Sequence, residues 1–470
     1  MAVEPLDRNT VIGLFAMAVG TLVVAIDFTA LSVAIPAIER SFNTDLTTAQ
    51  WVINTYAMVF GVVIVTGGRL ADMFGRRRIF IVGASIFALA SLVGGLAPQV
   101  WLLLVCRALM GVGGALMWPA IIGMTYQIVP EGRKGLAGGL ITSVAGLGNA
   151  IGPLLGGFLT DAVSWRWIFF VNVPVAVIGI ITALLVLPKD EDENTDEGID
   201  YGGMAFLTLG LLSILLALDW GVDRGWTDPV VLGLFAVGAL FLIGFWFYEQ
   251  RKGDIALVPE AVMKNLGFAM AVLTTLLIAA IFFGALVYLP QFMTKTLRFS
   301  AAEAGLGMLP MMVTYAVLSI IAGRIYETFG PKLMVSAGVA LLAVGMFILS
   351  GVGPDTPYTG LIPGMIVLGI GISIFYSSIT TAGVTVIDPA KASLAGAIIY
   401  MANVAGGALG LGLNTAIVAS ADTLTDGIHT AYLVNGGLAI AVLLVALIFI
   451  GGPVDKERLR NLRHHHRAHN

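Results

Sequence analysis

The chain is 470 residues long, 58% hydrophobic and only 11% charged, with a mean hydropathy of +0.94. Soluble domains are about a quarter charged, so this composition excludes a water-exposed globular fold and makes lipid the solvent for most of the chain. The formal net charge of −4 discriminates little, and a single cysteine, Cys106, excludes a disulfide within one chain.

Runs of about 20 apolar residues, enough to cross a hydrocarbon core of about 30 Å, recur along the length. They predict fourteen helices, over 11–36, 50–69, 79–98, 101–125, 135–159, 167–188, 202–221, 230–249, 268–293, 303–323, 333–352, 359–385, 394–419 and 431–452. The first run is not followed by a small-residue cleavage site and reads as a retained helix. If the N-terminus is cytoplasmic, most of the 25 Lys and Arg residues fall in inner loops and tails, while the outer loops hold only Arg40, Arg166, Arg224, Lys295 and Arg298. That bias predicts both termini inside a plasma membrane, and an even helix count agrees.

The sequence Gly68-Arg-Leu-Ala-Asp-Met-Phe-Gly-Arg-Arg77 returns as Gly323-Arg-Ile-Tyr-Glu-Thr-Phe-Gly-Pro-Lys332. Each copy follows an apolar run, so a loop between two membrane helices has been duplicated along with its bundle. Leu31-Ser-Val-Ala-Ile-Pro36 and Ala285-Leu-Val-Tyr-Leu-Pro290 support the same register. Helices 1–6 and 9–14 therefore correspond, and helices 7 and 8 are an insertion. The expected organisation is a six-helix unit over 1–188, an acidic linker with the inserted pair over 189–267, a second six-helix unit over 268–452 and a basic, His-rich cytoplasmic tail over 453–470. The acidic run 189–200 reads as a solvated linker, and Trp51, Trp101, Trp220 and Trp226 read as interfacial anchors.

An ionised side chain inside a membrane costs several kcal/mol unless paired or hydrated, which makes it a functional candidate by default. Two lie well inside the predicted spans, Asp27 in helix 1 and Arg107 in helix 4. Contact between them, direct or through Asn54 and Asn149, would create a carboxyl able to exchange a proton as water access changes. A static ion pair that only orients helices is the competing reading. Asp161, Asp219, Asp223, Glu249 and Glu303 fall at helix ends and read as cap or surface residues. The second unit offers neutral polar groups instead. Tyr288, Gln291, Tyr376 and Asn403, with Asn54, Tyr56 and Asn149 from the first unit, are the candidates for lining a substrate cavity. Gly148, Gly152, Gly156 and Gly157 with Pro153 mark helix 5 as a close-packing strip with a bend, a hinge or seal.

The first decapeptide resembles the loop signature of the major facilitator superfamily, in the position where that family has it. Ile26-Asp27 to Pro36, Arg107 to Gly114, Gly148 to Gly157 and Trp165 to Pro174 are similar to motifs of its fourteen-helix drug:proton antiporters. The resemblance implies an all-α polytopic fold of two pseudo-symmetric six-helix bundles that exports lipophilic compounds against inward proton flow. It also implies that Asp72 with Arg76 and Arg77 latches the two halves, that Arg107 assists Asp27 in proton coupling, and that Gly152 and Pro153 control the outer interface. Met110 stands where the helix 4 motif usually has Gln. The latch set also takes in Gly68 and Gly75, with Arg324 and Glu327 from the second copy. There Pro331 replaces a cation, so only the first latch is expected to be strong.

The residues leave the cargo open between a drug or toxic organic cation and an endogenous lipid or metabolite, and a non-transporting scaffold is a third reading. The expected partners are a small lipophilic substrate, protons and the bilayer, with no nucleic acid, and a monomer is expected. No cofactor or metal is expected, and an enzyme is disfavoured because no histidine falls in any predicted span. An ATP-driven pump is disfavoured too, because no phosphate loop ending Gly-Lys-Ser/Thr occurs.

Overall fold

The computed structural model describes residues 6–130, 132–187, 190 and 198–451, and the regular elements in them are all helical. Most of the acidic run and all of the tail over 453–470 lie outside the described residues. The long helices are α1 (Arg8–Ala30), α2 (Leu46–Phe74), α3 (Arg76–Gly95), α4 (Val100–Ile128), α5 (Lys134–Ala162) and α6 (Trp167–Val186). The inserted pair is α7 (Tyr201–Arg224) and α8 (Pro229–Glu249). After α9 (Leu266–Lys295) comes Leu309–Ser350, followed by α12 (Tyr358–Thr385), α13 (Ala392–Ala419) and α14 (Leu424–Phe449).

Thirteen helices among the described residues are long and apolar enough to span a membrane. The 42-residue Leu309–Ser350 is two helices, α10 and α11, meeting at Gly330, whose φ of 78° and ψ of 168° are not helical. The described residues thus hold the fourteen expected. Gly75 occupies the equivalent corner between α2 and α3 with φ 100°. Positive φ is strained for any residue with a Cβ, which explains why both copies of the decapeptide keep this glycine. The first helix is shorter than expected. It ends at Ala30, and Pro36, which cannot donate to the preceding turn, instead opens the short helix Ile35–Phe42.

Helix neighbours repeat between the units. α1 packs on α5 and α6, and α9 packs on α13 and α14. Across the units α2 meets α13 and α5 meets α10, two seams that exchange under the duplication. α7 lies against α8, α2 and α13, so the insertion sits over the first of these seams. α8 is outermost, with 17% of its apolar window buried against 67% for α12. Apolar side chains such as Phe158, Leu185, Leu240 and Ile448 are exposed on the outside of the bundle, where lipid takes the place of water.

Without a hydrophobic drive between helices in lipid, close backbone approach has to supply the contact energy. Cβ atoms on Gly148, Gly152 and Gly156 would stand 2.6 Å from Ala25 Cβ, 2.0 Å from Thr29 Oγ1 and 2.0 Å from the Ala30 carbonyl oxygen. The glycine strip of α5 therefore seats α1 inside its own unit and not across the outer interface, and Gly157 lies off it. Gly406 and Gly410 form the same strip on α13, where added Cβ atoms would stand 2.1 Å and 2.0 Å from the Leu276 and Ala280 carbonyl oxygens. The motif is a duplicated packing device. Gly156→Ala is expected to cost about 1–3 kcal/mol through overpacking, seen as a lower melting temperature in detergent. Gly437→Ala, facing open space on α14, should be neutral or slightly stabilising; equal effects would refute the seam.

Candidate functional site

Asp27 and Arg107 meet in the interior of the first unit. Arg107 Nη1 donates to Asp27 Oδ2 at 2.5 Å, and both side chains are fully buried. A lone charge here would be prohibitive, so each ion is the condition for burying the other. The pair is held by groups from three further helices. Arg107 Nε donates to the Val52 carbonyl of α2 at 2.7 Å, and its guanidinium lies 4.3 Å from the centre of the Tyr56 ring. Asn172 Nδ2 of α6 donates to Asp27 Oδ1 at 3.1 Å and reaches Ser91 Oγ of α3 at 3.3 Å. The Met110 sulfur, 3.8 Å from Arg107 Nη1, is a weak acceptor. Arg107 Nη2 has no hydrogen-bond partner among the described residues.

Neither ion touches the large cavity of about 1060 Å³ between the two units. The chain neighbours of Asp27 and of Val52, which accepts from Arg107, do. Phe28 and Thr29 follow Asp27, Ile53 and Asn54 follow Val52, and all four line the cavity. The cavity extends from Trp118, Thr275, Tyr376 and Tyr400 to exposed residues Ser32, Gln50 and Gly305 at the end opposite the decapeptides. Asn54, Asn149, Pro153, Gln291, Tyr376 and Asn403 lie in its wall. Two of the expected lining residues do not. Tyr56 is fully buried beneath Arg107, and Tyr288 donates to Thr415 Oγ1 at 2.9 Å.

The end that carries the decapeptides is closed. Asp72 Oδ1 and Oδ2 accept from the Ser393 and Leu394 amides at 3.2 and 2.8 Å, capping the positive end of α13 in the other unit. Arg76 grips the same carboxylate at 3.0 Å and donates to the Pro389 carbonyl at 2.6 Å. Gly68 makes this approach possible, since a Cβ there would stand 2.9 Å from Leu394 Cα. Glu327 repeats the device at the exchanged seam. Its Oε1 accepts from the Gly135 amide at the start of α5, at 2.7 Å, beside Gly323, where a Cβ would stand 2.2 Å from the Gly135 carbonyl oxygen.

The second closure thus exists without the cation lost to Pro331, because its acid works on a backbone amide, but Glu327 accepts from one amide where Asp72 accepts from two and from Arg76, in line with a stronger first latch. Two other expectations change. Arg77 donates to the Ala183 and Leu184 carbonyls at 3.1 and 2.6 Å, fastening α3 to α6 within the first unit. Arg324 is exposed. Of the acids read as caps or surface groups, Glu303 closes a capping box with Ser300, whereas Glu249 is buried and Asp219 lines the cavity. Asp190, read as part of a solvated linker, accepts from the Arg77 and Arg78 amides at 3.0 and 2.9 Å and caps α3. Trp226, read as a lipid anchor, packs on Gly221 and Gly412.

Asn172 and Ser91 were not singled out for the ion-pair site; the only amide in the apolar run of α6 was the signal available. If the two caps hold this end shut, Asp72→Ala and Glu327→Ala should each remove about 1–2 kcal/mol of closure. Spin labels placed across this end should then report about a tenfold larger open population for each variant, and more for the double variant. Distance distributions matching the parent would refute the assignment.

Comparison with known proteins accords with this architecture. The sequence model for the Major Facilitator Superfamily matches twice, over residues 17–284 and 271–468. The chain is 34% identical to the puromycin resistance protein pur8 of Streptomyces alboniger, over 91% of this chain and 84% of that one. It is 30% identical to the tetracenomycin C resistance and export protein of Streptomyces glaucescens, over 87% and 76%, and 28% identical to multidrug resistance protein 3 of Bacillus subtilis, over 82% and 74%. Its fold is like the crystal structure of the human organic anion transporter MFSD10 (TETRAN), with a TM-score of 0.68 at 14% identity, covering 94% of this chain and 100% of that one. By its duplicated helical units and its matched sequence, the chain belongs to the major facilitator superfamily.

Proposed function

We propose that the protein exports lipophilic or amphiphilic compounds from a bacterial cell in exchange for protons, by alternating access. The cavity suits such cargo: it is large enough for a drug-sized molecule, and its wall mixes aromatic and aliphatic side chains with a few amides and hydroxyls. The relatives named for puromycin, tetracenomycin C and multidrug resistance support the same cargo class. With the decapeptide end in the cytoplasm, as the distribution of Lys and Arg supports, this conformation faces outward.

The observation that carries proton coupling is the Asp27–Arg107 pair, buried beside the cavity but outside it. Protonation of Asp27 would remove the counter-charge of Arg107 and weaken its hold on α1. The same guanidinium bonds the Val52 carbonyl. Residues 28, 29, 53 and 54 would then be freed to shift against cargo, so proton and cargo would favour different conformations without sharing a binding position. Both caps at the closed end would break as the units rock, each releasing a carboxylate from a helix terminus.

Inside-out vesicles loaded with the parent protein should accumulate ethidium when energised and lose it on adding a protonophore. Asp27→Asn should reduce this movement to background while ethidium still binds. Unchanged accumulation in Asp27→Asn would refute the coupling role, and no movement by the parent would refute export itself.

A further inference from the structure

α7 has no counterpart in either six-helix unit, yet it forms part of the cavity wall through Leu215, Leu218, Asp219 and Val222. Asp219 is the only carboxylate in that wall, and no lysine, arginine or histidine lines it among the described residues. Asp27 does not add to this charge, because it is spent on Arg107 and closed off from the cavity. Asn54 Nδ2 donates to Asp219 Oδ1 at 3.1 Å across 165 residues of chain, which fixes the carboxylate against α2. The helix that carries it is anchored at the same end. The Trp226 ring, just beyond α7, fills the space over Gly412 of α13, where a Cβ would meet it at 2.6 Å.

The same space is rich in aromatic faces. Tyr400 packs on Trp118 at 4.4 Å between ring centres, and Tyr376 packs on Phe282 at 6.4 Å; all four line the cavity. Aromatic faces attract cations through their quadrupoles, and a carboxylate bordered by apolar walls attracts them more strongly than one in bulk water. A neutral lipophile gains nothing from either.

We propose that Asp219 is the cation-selecting group of this cavity, so that the inserted helix converts a wall of neutral polar groups into a site for lipophilic monocations. The inference rests on the export reading only in taking the cavity as the place where cargo binds. Its chemistry is tested by equilibrium binding, which needs no transport.

The probes are ethidium, a flat aromatic cation, and Nile red, a neutral dye of similar size, titrated into purified protein in detergent and followed by fluorescence. For the parent, ethidium should bind with saturation, and Asp219→Asn should lower the ratio of ethidium to Nile red affinity by about tenfold. Asp219→Glu, which restores the charge on a longer arm, should recover most of the ratio. A ratio unchanged in Asp219→Asn would overturn the proposal, even if the variant melts at a lower temperature, because the carboxylate would then serve only to hold Asn54. Absence of saturable ethidium binding to the parent would overturn it as well. Discriminating binding without energised movement would leave this inference standing and refute export alone.

Discussion

A carboxylate and a guanidinium buried together in a low-dielectric bundle are the constraint around which the first unit is arranged. Neither Asp27 nor Arg107 can be there without the other, and neither can be satisfied by its partner alone. Helices α2, α3 and α6 each contribute to the shell, through the Val52 carbonyl, Ser91 and Asn172. Five helices are thus bound to one charge balance. A single proton on the carboxylate would upset that balance, since the interaction energy of charges scales inversely with the local dielectric.

The second unit shares the scaffold but not the charge. By the register of the duplicated prolines, Ile281 stands where Asp27 stands, and it is fully buried. The halves have kept what packing and closure demand: the glycine strips facing α1 and α9, the left-handed corners at Gly75 and Gly330, and a carboxylate at each seam. They differ where only one copy of a function is needed. Both units contribute to the cavity wall, and on the proposed function the first unit is the one that would respond to protons.

Much of this was legible in the sequence. Fourteen helices, the 6+2+6 order and the duplicated loop follow from apolar run length and from one repeated decapeptide, because lipid forces backbone hydrogen bonds to be satisfied within helices. Asp27 and Arg107 stood out because charge is rare in such spans. Direction around a helix axis was not legible. Tyr56 and Asn54 are two residues apart on α2, yet one lies under Arg107 and the other in the cavity wall. Arg76 and Arg77 are adjacent, yet one crosses to the second unit and the other stays in the first. The form of the second closure was hidden for another reason: counting cations overlooks the backbone amides at a helix start, which are donors in every sequence. Asp219 stands near a helix end, as its sequence position indicates, but the packing of α7 on α2 and α13 turns it into the cavity wall, which its position along the chain does not reveal.

The central claim is that cargo in the cavity and a proton on Asp27 oppose one another. The most direct measurement is proton release on adding ethidium to purified protein in weakly buffered detergent solution, followed with a pH-sensitive dye near neutral pH. The account predicts that the parent releases protons as ethidium binds and that Asp27→Asn binds ethidium without releasing any. Equal release by both proteins would contradict it.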